Sequence, residues 1–445
     1  MSFTVTKFSP VLVGPSSTAP AAPVPEHTNL SCFDKAFAFF PVTAFHVFNN
    51  GIPKPAETVR RALSHALTHY FPIAGRFVTG GGELRIACTG EGVAFVAATA
   101  NCSLADAKLL DPPFHTLLRE LSPSPSHGAK GFRKPDPPLL MQVTEFSCGG
   151  FVVGATWNHG VADGEGFAQF MQAVGELARG TPRPSIFPVS FGDVSLPEQP
   201  PLVTTVEKTM ARLPHQAFAY LDITVPSSCI NRVKAGFAGA DAAGEPCTVF
   251  EAVTAVLWQC RTRVVMADPK TPAPLCFAVG VRKQVGAKHG YYGNCITSAV
   301  AAPTSGEVAS GDINDVVKLI KRAKQEILSH FKNAGGGGEE GSGRVGGVSS
   351  MKEAEALQGL SMEQLGVLLR YNAFVVSSWQ NIGMDAVDFG GGRPARVMAR
   401  TMERTPVPSC IACLPCEGKH GANVLAQCVK EDDVDALLGE LAKFV

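Results

Sequence analysis

Residues 151–157, FVVGATW, form an apolar run too short for a helix, and the run predicts a buried strand. Directly after it come Asn158-His159-Gly160-Val161-Ala162-Asp163-Gly164, and then Phe167, Phe170, Met171, Val174 and Leu177 at helical spacing, with a stop near Gly180. A buried strand that turns into an amphipathic helix is one unit of an alternating strand-and-helix pattern. Strands and helices alternate in both halves of the chain, without a short-period repeat. At 445 residues there is enough chain for about two or three domains with sizeable cores.

Along the chain, residues 1–30 read as one strand (Phe3, Val5, Phe8) followed by an irregular arm rich in Pro, Ser and Ala. Val59, Leu63, Ala66, Leu67 and Tyr70 predict a helix over 57–70, closed by Phe71-Pro72. From 181 to 213 prolines recur with little periodicity, which predicts a long crossover. The expected division is therefore an N-terminal domain 1–190, a linker 191–219 and a C-terminal domain 220–445. In the second half Val316, Ile320, Ala323 and Ile327 form a helical stripe, and the glycine run within 333–348 predicts a disordered surface loop. Residues 410–414 and 424–429 read as strands joined across a turn at 418–421, followed by a terminal helix carrying Val434, Leu438 and Leu441.

Charge narrows the function. Lys plus Arg (39) balances Asp plus Glu (39), which gives no support to nucleic acid or an acidic membrane as partner. No hydrophobic run approaches the ~18 residues of a membrane helix, so a soluble protein is expected. The thirteen cysteines are odd in number and lack a paired framework, and the N-terminus lacks a charged segment leading into a long apolar one; reduced thiols in the cytoplasm are expected.

His159 is the residue best placed for chemistry. It sits at a strand-to-helix turn, and the surrounding Gly160, Ala162, Gly164 and Gly166 are expected to leave space for a ligand. An imidazole with an ordinary pKa of ~6.5 can take a proton from a hydroxyl or amine and return it to a leaving group. Asp163 has two readings: a triad-like carboxylate holding the His159 ring, or a salt-bridged support that also caps the following helix, which is the favoured one. Cys410, Cys413, Cys416 and His420 have superficial metal-site spacing, but residues three apart in a strand face opposite ways, so no metal is expected there. His65 and His69 lie one helical turn apart without an evident further ligand, and no phosphate-binding loop is present.

The stretch QVTEFSCGGFVVGATWNHGVADGEGFAQFMQAVGELARG (142–180) closely resembles the H-x-x-x-D-G region of the plant acyl-CoA-dependent BAHD acyltransferases. LSCFDK (30–35), TVRRALSHALTHYFPIAGRF (58–77), TVFEAVTAVLWQCRTR (248–263), VGVRKQV (279–285), YYGN (291–294), SSW (377–379) and DFGGGRP (388–394) resemble the other landmarks of that family, in its order. The resemblance implies two similar α/β domains of the chloramphenicol acetyltransferase type, mixed sheets flanked by helices, with a channel between them. It implies acyl-CoA as co-substrate, no permanently bound cofactor, and a small alcohol or amine as acceptor, in a protein expected to be monomeric. His159 matches the catalytic base, Asp163 the supporting aspartate and Arg282 its arginine partner. Ser377 matches a hydroxyl near the developing oxyanion and Trp379 a channel-lining tryptophan. Thr248 falls where the family approaches the nucleotide end of CoA, and Asp388 is expected in a structural ion pair.

Two positions depart from the family pattern. Gly391 stands where tryptophan is usual, which removes on the order of 150 to 250 Å² of packing surface, and Gly280 replaces the usual Asn or Asp ahead of Arg282. The reading is transfer of an acyl group, expected to be aromatic (hydroxycinnamoyl or benzoyl), to a hydroxyl, with His159 as general base in a ternary complex. N-acylation of an amine is the alternative within the class, and a catalytically idle metabolite-binding paralogue the alternative outside it.

Overall fold

The computed structural model describes residues 3–16, 24–110, 118–123, 132–189, 196–240, 245–335, 360–400 and 404–444. The first half runs β1 (Val5–Lys7), β2 (Val11–Val13), β3 (His27–Asn29), α1 (Cys32–Ala36), β4 (Pro41–Phe48), α2 (Pro55–His69), β5 (Arg76–Gly80), β6 (Glu83–Ala87), β7 (Val93–Ala100), β8 (Leu139–Phe146), β9 (Phe151–Asn158) and α3 (Gly164–Ala178). The second runs α4 (Pro201–Arg212), β10 (Gln216–Ala217), β11 (Leu221–Val225), α5 (Ser227–Ala240), α6 (Val249–Val265), β12 (Leu275–Gly280), β13 (Ile296–Ala301), α7 (Ser305–Ser310) and α8 (Ile313–Gly335). A helix over Met362–Leu369, strands β14 (Phe374–Ser378), β15 (Arg396–Arg400), β16 (Arg404–Thr405), β17 (Ser409–Cys413) and β18 (Ala422–Gln427), and a helix over Val434–Ala442 complete it.

Two sheets organise these elements. The first has the order β1-β7-β8-β9-β4-β15, with β2 also paired to β7; the second has the order β11-β18-β17-β14-β12-β13. Both are mixed: β7 and β8 run parallel in the first, and β14 lies parallel to β12 and β17 in the second. All eight residues of β9 are buried, because β4 and β8 flank it in the sheet and side chains from α3 cover it. Trp157 of β9 stacks flat on Phe167 of α3, 3.9 Å between ring centroids. The helix predicted over 57–70 forms as α2, started by Pro55 at its first turn and burying Val59, Ala62, Leu63, Ala66 and Leu67.

The two cores exchange residues. Phe33, from α1, is buried in the second core, whereas Tyr291, Tyr292, Cys295 and Trp379 from the second half are buried in the first. Strand β15 leaves the second half to pair antiparallel with β4, Arg396 opposite Val47. The Arg396 side chain is fully buried, and its Nη2 donates to both Asp222 carboxylate oxygens, at 3.0 and 2.9 Å, and to Asn423 Oδ1 at 2.9 Å. Asp222 and Asn423 belong to β11 and β18, so this guanidinium fastens the edge of one sheet to the other.

Three expectations need correction. The N-terminal arm holds three short strands instead of one: β1 and β2 pair with β7, and β3 pairs with β6. Part of the stretch read as irregular crossover is α4, which begins at Pro201 and buries Val203, Val206 and Thr209 beside Leu365 and Leu369. Its stripe is short and includes a threonine, so the apolar period is faint in the sequence. Finally, α8 continues through Gly335, into the start of the expected glycine loop; residues 336–348 of that loop lie outside the described residues. On β17, Cys410 faces the second core and Cys413 the first, on opposite sides of the strand. Among the described residues no helix is long and apolar enough to cross a membrane.

Candidate active site

Strand β9 ends at Asn158, whose side chain organises the turn after it. Its Oδ1 accepts from the backbone of Gly160 at 3.0 Å and of Phe39 at 2.8 Å, and the His159 amide donates to Phe40 O at 2.8 Å. The 37–40 segment is thereby tied to the turn, with Phe39 held at a φ of 69°, a left-handed conformation that costs a non-glycine residue on the order of 1 kcal/mol. The result places aromatic walls at the imidazole: Phe37 stacks on His159 at 4.7 Å and Phe40 lies at 6.5 Å. His159 itself remains partly exposed.

Asp163 is the N-cap of α3, and its buried carboxylate is fully engaged. Oδ1 accepts from Gly166 N at 2.8 Å and from Arg282 Nη2 at 2.6 Å, and Oδ2 accepts from Cys295 N at 2.9 Å. Arg282 also donates to the carbonyls of Tyr291 and Gly293, at 2.6 and 2.9 Å, and lies 3.3 Å from Glu165. Burial works against the guanidinium charge, but Asp163 outweighs it and pushes the arginine up. Of the two readings of Asp163, the geometry matches the salt-bridged support. The Arg282 contacts form with Gly280 in place; a side chain at that position would meet open space.

The imidazole is instead contacted by Asn294, whose Oδ1 lies 2.9 Å from His159 Nδ1. Asn294 Nδ2 donates to His159 O at 2.8 Å and to Asp34 Oδ1 at 2.9 Å, and its backbone amide donates to the same Asp34 oxygen at 2.8 Å. Asp34 closes a capping box with Ser31 at the start of α1. Burial pushes its carboxyl up, opposed by the hydrogen bonds from Ser31 and Asn294. Burial also lowers the His159 pKa, partly offset by Asp163, its own carbonyl and Asn294, which favours the neutral ring.

The glycines around the turn admit protein, which corrects the expectation of open space. A Cβ on Gly166 would sit 1.8 Å from Tyr292 O, one on Gly160 2.9 Å from Ala38 Cα, and one on Gly164 2.8 Å from Ile382 Cδ1. Trp379 Nε1 is 3.9 Å from that last position, and the indole lies 6.2 Å from Trp157, so the tryptophan reaches the H-x-x-x-D-G turn from the second sheet. Ser377, on β14 two residues earlier, is half-buried and registers with Ile411, which packs against the first core.

Thr248 and Asp388 are engaged elsewhere. Thr248 caps α6 in a box with Glu251, which in turn pairs with Lys321 and Lys324 at 3.3 and 3.4 Å. Asp388 Oδ1 accepts from Gly390 N and Gly392 N at 2.7 and 2.9 Å, and Arg179 lies 3.7 Å from its Oδ2. The space at Gly391 is filled: a Cβ there would approach Asn50 O to 2.9 Å and Ile52 Cγ2 to 3.1 Å. Among the described residues no group of three or more His, Cys, Asp or Glu is placed to hold a metal ion.

Asn294, Asp34, Phe37 and Phe40 were not singled out from the sequence. The first two fall inside YYGN and LSCFDK, and the phenylalanines in the run just after LSCFDK, but nothing local connects them to a histidine more than a hundred residues away.

Comparison with known proteins agrees with this architecture. The profile of the Transferase family matches residues 3–432. Acyl transferase 15 of Oryza sativa subsp. japonica is 41% identical, the alignment covering 100% of this chain and 99% of that protein. Myricetin 3-O-glucosyl 1,2-rhamnoside 6'-O-caffeoyltransferase AT1 of Crocosmia x crocosmiiflora is 32% identical, with 100% of both chains covered. The crystal structure of vinorine synthase superposes with a TM-score of 0.70 at 20% identity, over 99% of this chain and 98% of that one, and shows the same two-domain chloramphenicol acetyltransferase-like fold. With this match over nearly the whole chain, the protein belongs to the Transferase family, the BAHD acyl-CoA-dependent acyltransferases.

Proposed function

We propose that this acyltransferase moves an aromatic acyl group, hydroxycinnamoyl or benzoyl, from its CoA thioester to the hydroxyl of a small plant metabolite, with His159 as general base. The observation that carries the reading is a partly exposed imidazole with Phe37 stacked on it, Phe40 nearby, and its Nδ1 engaged by Asn294 from the second half. In a ternary complex His159 takes the acceptor proton as the oxygen attacks the thioester carbonyl; the tetrahedral intermediate then expels the CoA thiolate, which receives that proton. Ser377 is read as a donor to the oxyanion and Trp379 as a wall of the channel between the halves 1–190 and 220–445. Asp163 and Arg282 hold the turn, Asp388 holds its glycine loop, and Thr248 lies toward the nucleotide end of CoA. The caffeoyltransferase relative supports an aromatic donor. The free cysteines fit the reducing cytoplasm, and the neutral net charge fits a protein that acts on small molecules.

The test is turnover. Purified protein is offered a panel of CoA thioesters with pooled alcohols and amines, free thiol is followed, and product mass identifies both halves of the substrate. His159→Ala is expected to lose ~10² to 10⁴ in kcat. Full activity in that variant refutes the mechanism, and no acceptor-dependent thiol release across the panel favours the idle metabolite-binding alternative.

A further inference from the structure

We infer that Asn294, held by Asp34, is the positioning residue that sets the tautomer of His159, a task Asp163 leaves undone. The inference rests on the reading of His159 as base and extends it to the atom that accepts the proton. Asn and Gln amides place oxygen and nitrogen in nearly the same space, so their orientation has to come from their partners. Here the partners decide. Asn294 Nδ2 has two hydrogens, and it faces two acceptors: Asp34 Oδ1 at 2.9 Å and His159 O at 2.8 Å. Turning the amide over would set its oxygen against a carboxylate and a carbonyl, and because Asn294 is fully buried that clash of lone pairs is costly.

The amide oxygen is therefore the atom 2.9 Å from His159 Nδ1, and an amide oxygen can only accept. The hydrogen of the neutral ring must sit on Nδ1, which leaves the lone pair on Nε2. When Nε2 takes the proton of an acceptor, Nδ1–H keeps its partner and its hydrogen bond becomes charge-assisted. The carboxylate next in sequence cannot serve this purpose, because all its described contacts go to Arg282, Gly166 and Cys295. Asp34 acts one step removed, through the amide. It is fully buried, its other oxygen accepts from the Ser31 backbone and hydroxyl at 3.0 and 2.6 Å, and so it ties the N-terminal α1 to the loop that carries Asn294.

The experiment combines kinetics with 15N NMR of protein labelled at histidine, the His159 signals being assigned by their loss in His159→Ala. In the wild type His159 is expected as the single Nδ1–H tautomer above its titration. In Asn294→Ala the backbone amide still bonds Asp34, so the loop is retained; kcat is expected to fall on the order of 10- to 100-fold with the KM of both substrates within about threefold, and the His159 signals to move to a mixture of tautomers. A kcat within about twofold of wild type, or an unchanged single tautomer, overturns the proposal. If Asn294→Ala does not fold, Asp34→Asn carries the test: it keeps an oxygen for both Asn294 donors and is expected to preserve the Nδ1–H tautomer, and a mixture there overturns it. Should His159→Ala itself turn over normally, the base assignment fails, while the tautomer shift in Asn294→Ala still reports whether the amide sets the ring.

Discussion

At the scale of single residues, the structure separates groups that are adjacent in sequence by giving them different partners. Asp163 and His159 lie within one turn, yet the carboxylate belongs to Arg282 and the imidazole to Asn294. Removing Arg282 leaves Asp163 buried without its cation, which typically costs about 3 to 5 kcal/mol. Arg282→Ala is therefore expected to lower the urea midpoint strongly and to reduce activity by loosening the turn; an unchanged midpoint would show that the two backbone donors to Asp163 suffice. His46 on β4 presents the opposite situation. It is fully buried, neither ring nitrogen has a well-aligned hydrogen-bond partner among the described residues, and burial lowers its pKa to about 4, opposed by the Met384 backbone. The unfolded chain binds a proton below ~6.5 while the folded chain stays neutral until about 4, so stability is intact above pH 6.5 and falls between 6.5 and 4. At ~1.4 kcal/mol per pKa unit the loss is about 3 kcal/mol, and His46→Leu is expected to abolish that part of the acid destabilisation in urea titrations at pH 7 and pH 4.5. The histidine at 159 was legible because its strand and turn are local, whereas the isolation of His46 depends on neighbours from β9 and β15.

At the scale of elements, close packing explains the glycines. Helix α3 approaches the second half so tightly that a Cβ on Gly166 would overlap Tyr292 O at 1.8 Å, and one on Gly175 would lie 2.4 Å from Asp388 O. At Gly391 the backbone of the 50–52 segment lies where a side chain would begin, and Asn50 Nδ2 donates to Gly391 O at 3.1 Å. Gly391→Trp should therefore overpack this corner and cost about 1 to 3 kcal/mol, seen as a lowered Tm, in place of restoring anything. A raised Tm in that variant would mean that the 50–52 segment only borders an empty site. Helices α2 and α3 and strand β9 were readable because each keeps one apolar period over its whole length. Helix α4 was missed because its buried face is small and its start is hidden among prolines. Strands β1 and β2 were blurred for a related reason: each is three residues long, too short for alternation to show.

At the scale of the whole molecule, one buried ion pair links the sheets. Arg396 extends the first sheet through β15 and directs its guanidinium to Asp222 and Asn423 of the second, with a further bond to Leu109 O at 3.2 Å. Asp222→Ala removes the buried carboxylate from that arginine, so a loss of about 3 to 5 kcal/mol is expected in denaturant titration, together with a lower kcat because the halves that carry His159 and Asn294 are held in register less firmly. Full stability with unaltered kcat would show that the packed cores alone keep the halves aligned. By itself the sequence determined the layered α/β class, the helices and strands with a sustained period, and the imidazole at the strand-to-helix turn, because each of these follows from interactions among residues close along the chain. Only the tertiary structure decided that Arg396 pairs with Asp222, that β15 crosses to the other sheet, and that Asp34, Phe37 and Asn294 surround His159. Hydrogen-bond partners and buried charges are chosen by distance in space, and a linear sequence does not record that distance.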